Sequence, residues 1–486
     1  MAAEFEFPDA ETLFAPAPAE GRPFLDADIP IAQAVDDAVL IVPGIMGSEL
    51  VDTDTGKLLW GMKPGLLARM WMAPDQALKP LAVAANGPGS VRPRGLLKVS
   101  ATSPVFAGVE PYTKLVAALR KAVRHPAAIS EFAYDWRLSA EYNATLLAEA
   151  IRRHVRWWRN FSDRPHARAV IVAHSMGGLV TQRAAAIPGA LDDVTTVITL
   201  GTPFGGAVKA VLMLGTGEGA PLPARRLQVV AATMPGIYDL LPTYRCVDDG
   251  LTVRRLTPQD LAAIGADGGL AEAAFADHAP VLGVRLAGHR PIIGVAQPTV
   301  CSVTFEHGRP KLLSHTFIPD GDRDVTRNPA SGVPVRAPGL GDGTVPRNSA
   351  VPLTDSRVFA LSQQHGALAV SDETIAFVLD VLRHADRDRG ARLAGPGEIG
   401  ITVPDVVQVG TMFNVKVVGI EQPNSVRARV FDADTDRQTD LLSAVRRDGE
   451  IVVVAAIHRP GVYRVAVDGS GTSPVSQLVL AVDDNR

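Results

Sequence analysis

Short unbroken apolar runs alternate with stretches of helical period along the first three quarters of this chain. Ala38-Val-Leu-Ile-Val42, residues 169–173, 194–200 and 291–296, and Val358-Phe-Ala-Leu361 are apolar throughout or nearly so, and too short for buried helices. They predict strands buried on both faces. Between them, Tyr112 to Val123, Glu141 to Trp158, Gly177 to Ala186 and Ile375 to Leu382 space their apolar residues as helices do. That alternation predicts a mostly parallel sheet with helices on both faces. From Gly206 to Leu282 the pattern is helical and loop-rich, as expected of a cap inserted between sheet strands. Cys301 to Phe305 and Leu312 to Phe317 flank Glu306-His-Gly-Arg-Pro310 and predict a hairpin.

After Arg383 the period changes. His384 to Glu398 is charged and then Gly/Pro-bearing, as a linker is. Beyond it apolar and polar residues alternate in twos through Phe413-Asn-Val-Lys-Val, Val426 to Val430, residues 451–455, Val462 to Val467 and Leu478 to Val482. Turns such as Asp448-Gly449 and Asp468-Gly469 separate the runs, which predicts a small all-β sandwich of immunoglobulin-like type. The expected organisation is an N-terminal arm over 1–35, an α/β unit over 36–384 with cap or lid elements near 51–80 and 207–282, a linker over 385–398, and the sandwich over 399–486. The sandwich carries no convergent catalytic residues, so its expected job is binding: substrate surface, partner protein or a second copy of the chain. Lying outside the catalytic motifs, it is expected to be dispensable for turnover of soluble esters.

Composition narrows the function classes. A chain of 486 residues with 47% apolar content buries a large core, and a net charge of −4 gives no electrostatic case for nucleic acid. The two cysteines, Cys246 and Cys301, read as reduced buried thiols. No basic segment followed by an apolar stretch opens the chain, and no run of about 20 apolar residues occurs. A cytoplasmic, soluble protein is the expectation.

The chemistry sits where strands end. Ala173-His174-Ser175-Met176-Gly177-Gly178 joins an apolar strand to a helical stretch, with small residues at 173 and 177 where strand and helix backbones nearly touch. A serine there is exposed on a sharp turn as a nucleophile is. Pro338-Gly-Leu-Gly-Asp342-Gly-Thr-Val-Pro346 then places a carboxylate in a glycine-rich turn, and Ser362-Gln-Gln-His365-Gly follows the Val358–Leu361 strand. Ser, then Asp, then His, each in a loop after a strand, is the chain order of an α/β-hydrolase triad: Ser175, Asp342 and His365. His315 precedes Asp342 and breaks the order. Asp320, Asp322 and Asp324 are rival acids whose D-x-D-x-D spacing lacks the rest of a calcium loop, so no metal is expected. The loop Pro43-Gly44-Ile45-Met46-Gly47 turns backbone N–H groups toward the nucleophile. The oxyanion hole is assigned to the amides of Ile45 and Met176.

Five motifs now stand in order: Val42-Pro-Gly-Ile-Met-Gly-Ser-Glu-Leu50, Tyr134-Asp-Trp-Arg137, Ala173–Gly178, Leu200-Gly-Thr-Pro-Phe-Gly-Gly206 and Gly341-Asp-Gly-Thr-Val-Pro346. Together they resemble the lecithin:cholesterol acyltransferase family, which includes lysosomal phospholipase A2 and the phospholipid:diacylglycerol acyltransferases. The resemblance implies an α/β-hydrolase fold with a cap, acyl-ester chemistry on lipids through an acyl-enzyme, and an oxyanion amide that falls on Ile45. It implies no cofactor. Tyr134–Arg137 and Leu200–Gly206 read as scaffold near the site, with Arg137 paired to a buried carboxylate. Animal members carry a disulfide-closed lid after the oxyanion segment, whereas Val51 to Pro80 here has no cysteine. It offers Leu58-Leu-Trp60 and Leu66 to Met72 instead, either as an apolar lid, with Trp60 a candidate acyl contact, or as core.

Arg152-Arg-His-Val-Arg-Trp-Trp-Arg159 reads as a charged helix end, with contact to anionic lipid headgroups at a membrane surface as the alternative. Two functional classes stay open. One is a serine-dependent lipase-like hydrolase, with O-acyltransferase activity, acting on a lipid or other acyl ester. The other is a catalytically silent hydrolase fold that binds through its β-domain.

Overall fold

The protein is described by a computed structural model covering residues 35–483, apart from 62, 85–86, 88, 98–111, 220–221, 321–323, 353–357, 384–398, 434, 436 and 470–473. The N-terminal arm before residue 35, the 384–398 linker and Asp322 lie outside the described residues.

Six strands form the central sheet: β1 (Ala38–Val42), β2 (Ile129–Glu131), β3 (Ala169–His174), β4 (Val194–Leu200), β5 (Arg290–Gly294) and β6 (Phe359–Leu361). Their spatial order is β6-β5-β4-β3-β1-β2, and every neighbouring pair is parallel. Parallel strands need crossovers, and the helices that make them cover both faces. Hence all five residues of β1 and all six of β3 are buried. The strand order reverses between β1 and β3, where a crevice opens beyond the carboxyl ends of the strands. The Pro43–Gly47 loop leaves β1 there and Ser175 leaves β3. This is the α/β-hydrolase fold.

Four helices follow the sequence reading to within a few residues, α1 (Thr113–Ala122), α2 (Ala140–Ser162), α3 (Met176–Ala186) and, after the last sheet strand, α5 (Asp372–Leu382), while α4 (Lys209–Thr216) lies in the stretch read as helical and loop-rich. Ser139 caps α2 by accepting a hydrogen bond from the Tyr142 amide at 3.2 Å. Arg137, fully buried, pairs with Asp135 through two hydrogen bonds of 2.6 and 2.9 Å. The hairpin is present as Ser302–Glu306 against Arg309–Leu313, but His315–Phe317 leaves it to pair with Arg336–Pro338. Cys246 and Cys301 are free and buried.

The C-terminal region has its own core. A sheet of Gly400–Thr402, Met412–Val418, Glu450–Ala456 and Val445–Arg447 faces a second of Val406–Gln408, Val475–Val482, Gly461–Asp468, Arg427–Asp432 and Gln438–Ser443. Val415, Val430, Val453, Val465 and Val479 fill the space between them. In Met412–Val418 strict alternation buries Phe413, Val415 and Val417 and exposes their neighbours, as a strand with one solvated face requires. The first strand, Gly400–Thr402, was not legible, because three residues are too few to show a period.

Candidate active site

Ser175 occupies the turn between β3 and α3 with φ 52° and ψ −124°. A non-glycine residue in this region is strained, and the surroundings hold it there. Gly177 and Gly178 make the turn sterically feasible. A Cβ on Gly177 would lie 2.4 Å from the Pro43 carbonyl oxygen, and one on Gly178 would lie 1.9 Å from Thr202 Oγ1. Gly44 has the same task from the oxyanion side, where a Cβ would meet Ser175 Cβ at 2.9 Å. The glycines of these motifs are contact points between backbones.

The three residues predicted as a triad lie in hydrogen-bonding contact. Ser175 Oγ is 2.9 Å from His365 Nε2, and His365 Nδ1 is 2.7 Å from Asp342 Oδ2. Asp342 is buried, and its other carboxylate oxygen accepts from the amides of Thr344 at 2.9 Å and Val345 at 2.6 Å. The His365 amide donates to the Asp342 carbonyl at 2.8 Å, so the acid and histidine loops are tied by main chain as well. Gly201 at φ +57° leaves room for this pair, since a Cβ there would sit 3.1 Å from both Asp342 Oδ2 and His365 Nδ1. With the Nδ1 proton donated to the carboxylate, Nε2 is the free base and accepts from the serine hydroxyl. His315 stands apart, bonded to Asp248 at 2.8 Å.

Ile45 lines the cleft beside the serine. Met176 opens α3, where the first amides of a helix have no partner within the helix. Sequence reasoning missed what holds this loop. The Gly44 amide donates to Tyr112 Oη at 2.8 Å, and that hydroxyl lies 2.8 Å from His174 Nδ1. A hydroxyl accepting from Gly44 has its own proton for Nδ1, which leaves His174 Nε2–H to donate to the His365 carbonyl at 3.3 Å. Burial pushes His174 down to about 3, so it stays neutral and keeps that tautomer. The one sequence signal was a polar histidine between a buried strand and the nucleophile.

Trp60 does not reach the site. It is 1% exposed, packs edge-on against Trp136 with ring centroids 5.2 Å apart, and donates its indole N–H to the Met46 carbonyl at 2.9 Å. The expected lid segment is scaffold: Leu58–Trp60 pairs with Ser48–Asp52, and Leu66 and Met70 of the following helix are core. Trp158 is likewise buried, donating to the Asp36 carbonyl at 2.8 Å, while Trp157 stacks on Phe161.

The cleft over Ser175 has a volume of about 320 Å³. The 207–282 insertion contributes Ala207, Lys209, Met213 and Leu240 to its lining, and the sandwich contributes Ile401, Thr402, Val403 and Leu478. Lys209 is half-buried. Its ammonium donates to Thr344 Oγ1 at 3.3 Å and makes no ion pair within 4 Å among the described residues. Burial lowers its pKa, while the carboxylates of Asp405 and Asp342 oppose that shift. No group of side chains arranged to hold a metal ion occurs among the described residues, and no helix among them is long and apolar enough to cross a membrane.

A model of the lecithin:cholesterol acyltransferase family matches residues 85–256, a segment holding the Tyr134–Arg137, Ser175 and Leu200–Gly206 motifs. The resemblance read from the motifs holds over that segment. No curated protein matches the chain. Among solved structures, the chain is similar to one described as the Tle4-Tli4 complex, at 15% identity and a TM-score of 0.48, covering 73% of this chain and 99% of that one. It is also similar to the mature lipase BlEst2 of Bacillus licheniformis, at 14% identity and a TM-score of 0.33, covering 74% and 99%. A third is a gene product of Listeria innocua, at 11% identity and a TM-score of 0.28, covering 73% and 96%.

Proposed function

We propose, for a chain that matches the lecithin:cholesterol acyltransferase family across its nucleophile segment, that it is a serine-dependent acyl-ester hydrolase of lipase type, able to pass the acyl group to an alcohol. The observation that carries this reading is the contact chain Ser175 Oγ–His365 Nε2, His365 Nδ1–Asp342 Oδ2, at 2.9 and 2.7 Å on a strained strand-to-helix turn. Ser175 attacks the acyl carbonyl carbon as His365 Nε2 takes the hydroxyl proton. Asp342 holds the imidazole in the right tautomer and stabilises the imidazolium. The carbonyl oxygen, now anionic, is received by the amides of Ile45 and Met176. Collapse breaks the ester C–O bond, and His365 returns its proton to the leaving alcohol. The acyl-serine is then cleared by water or by a second alcohol that His365 deprotonates.

Water stands at about 55 M, so transfer prevails only where a pocket orients the alcohol; effective molarities of about 10⁵–10⁸ M show that orientation can outweigh that excess. Hydrolysis is therefore assigned as the main outcome. A fluorophosphonate probe should label the wild-type chain and leave Ser175→Ala unlabelled. A labelled phospholipid incubated with a long-chain alcohol, a diacylglycerol or a sterol then separates the two outcomes. Free fatty acid supports hydrolysis, and a dominant acyl-alcohol product at millimolar acceptor overturns it.

A further inference from the structure

The loop that carries the catalytic histidine is bonded to the C-terminal sandwich by each of the three residues before it. Ser362 Oγ donates to the Ile399 carbonyl at 2.7 Å, Gln363 Nε2 to the Pro474 carbonyl at 2.6 Å, and Gln364 Nε2 to the Ile401 carbonyl at 2.9 Å. Gln297, with no exposed surface, joins the same seam. Its Oε1 accepts from the Ile401 amide at 3.0 Å and from Gln364 Nε2 at 3.2 Å, and its Nε2 donates to the Ile399 carbonyl at 3.1 Å. Gln297 is also bridged by main chain to Asp342, so the acid loop meets the histidine loop and the sandwich at one buried amide. The two units approach to backbone distance, since a Cβ on Gly400 would lie 2.3 Å from the Ala296 carbonyl oxygen.

The same edge of the sandwich faces the serine. Ile401, Thr402 and Val403 at its start and Ser476, Gln477 and Leu478 near its end line the cleft that Ser175, His365 and Ile45 also line. Gln477 is itself fixed, donating to the Val403 carbonyl and to Asp405, each at 3.0 Å. A buried amide left without its partner loses a hydrogen bond it cannot recover from water, so these glutamines hold the seam in register.

We infer that the sandwich is the second half of the active site: through Gln363 and Gln364 it positions His365, and through Thr402, Val403 and Leu478 it forms the wall that selects the acyl ester. This rests on the proposed esterase function and assigns a task to a region that carries no catalytic group of its own. Gln363 and Gln364 are positioning residues. They touch no reacting atom, and they act by holding the imidazole where Nε2 meets the serine. A displacement of about 1 Å at such a group costs up to about a hundredfold in rate.

The test uses the full chain. With p-nitrophenyl butyrate, Gln364→Ala should lower kcat about tenfold or more, leave KM within about twofold, and slow fluorophosphonate labelling of Ser175 in proportion. Thr402→Trp adds bulk to an exposed residue on the sandwich side of the cleft and leaves the seam intact. It should lower kcat/KM for p-nitrophenyl decanoate relative to butyrate by about tenfold, with the unfolding midpoint unchanged. Unaltered kcat in the first variant together with an unaltered chain-length profile in the second overturns the inference. Should the wild-type chain neither hydrolyse esters nor accept the probe, it is the proposed function that fails. Positioning is then decided by hydrogen exchange over residues 362–369 in Gln364→Ala, where faster exchange supports it and unchanged exchange overturns it.

Discussion

The serine turn and the histidine loop meet in one hydrogen-bonded pair, proposed to transfer a proton, but are held by different means. Ser175 is placed by sterics among near neighbours: a strand, a helix and two glycines pressed against the Pro43 carbonyl and Thr202. His365 is placed by polar side chains reaching across to a separately folded sheet pair with its own core. The first arrangement is stiff, since it changes only if backbones part. The second is an adjustable bracket whose strength is a handful of hydrogen bonds, each worth about 1 kcal/mol net.

The largest expected effect removes the chemistry and leaves this contrast untouched. Ser175→Ala should lose about 10⁴-fold or more in kcat while its unfolding midpoint stays within a few degrees or rises, because the hydroxyl is spent on His365 and not on the fold. Retention of a tenth of wild-type turnover sinks the triad. The next prediction tests the stiff side. Gly177→Ala forces a methyl against two backbone carbonyls and should cost about 3 kcal/mol or more in urea unfolding. Gln363→Ala, on the bracket side, should cost no more than about 1–3 kcal/mol in the same experiment. Equal costs would erase the distinction.

Acid should separate the regions further. Burial pushes His174 down to about 3 and both His278 and His289 down to about 4. In the unfolded chain these groups protonate near 6.5, so between pH 6.5 and 4 the unfolded state binds more protons and stability falls as pH drops, by up to about 1.4 kcal/mol per unit for each histidine. Asp239, raised to about 6 by burial, works the other way between 6 and 4, one group against these three and His154, which burial also lowers. The net loss between pH 7 and 5 should be measurable by denaturant titration, and His289→Gln should flatten it. The seam of amides and carbonyls does not titrate in this range. Hydrogen exchange at the Ile401 amide, which donates to Gln297 in that seam, should therefore change less than that around His174.

The smallest effect concerns the charge in the cleft. Lys209 comes from the hydrolase side and Asp405 from the sandwich, and the ammonium has one long hydrogen bond. Lys209→Met should lower kcat/KM about three- to tenfold for the mono-p-nitrophenyl ester of glutaric acid relative to the butyrate. An equal loss on both esters would mean that Lys209 acts through Asp342 and not on substrate.

What the sequence disclosed follows the same division. Ser175, its glycines and the order of acid and histidine were legible because strand-to-helix turns write their steric needs into adjacent letters. Five of the six sheet strands were legible from apolar runs, whereas β2, Ile129-Ser-Glu131, is too short and too polar to show as one. Trp60 stayed open between lid and core because an apolar stripe does not state which surface it covers. Gln297, Gln363 and Gln364 left no trace, since a glutamine reaching a carbonyl more than 30 residues away resembles any solvated glutamine. The share of the sandwich in the cleft went unread for the same reason: motifs mark where chemistry happens, and the wall of a cleft carries no motif.

The glutamines of the seam donate to main-chain carbonyls at 399, 401 and 474, groups that every amino acid supplies. Recognition between the units is thus written on one side only. Related chains should hold the three glutamine positions fixed while the sandwich drifts in side chain, so pairwise covariation across the seam should be faint. The same asymmetry makes the sandwich exchangeable. A foreign β-pair with a similar edge strand could be grafted behind an unchanged histidine loop, and selectivity would follow the graft.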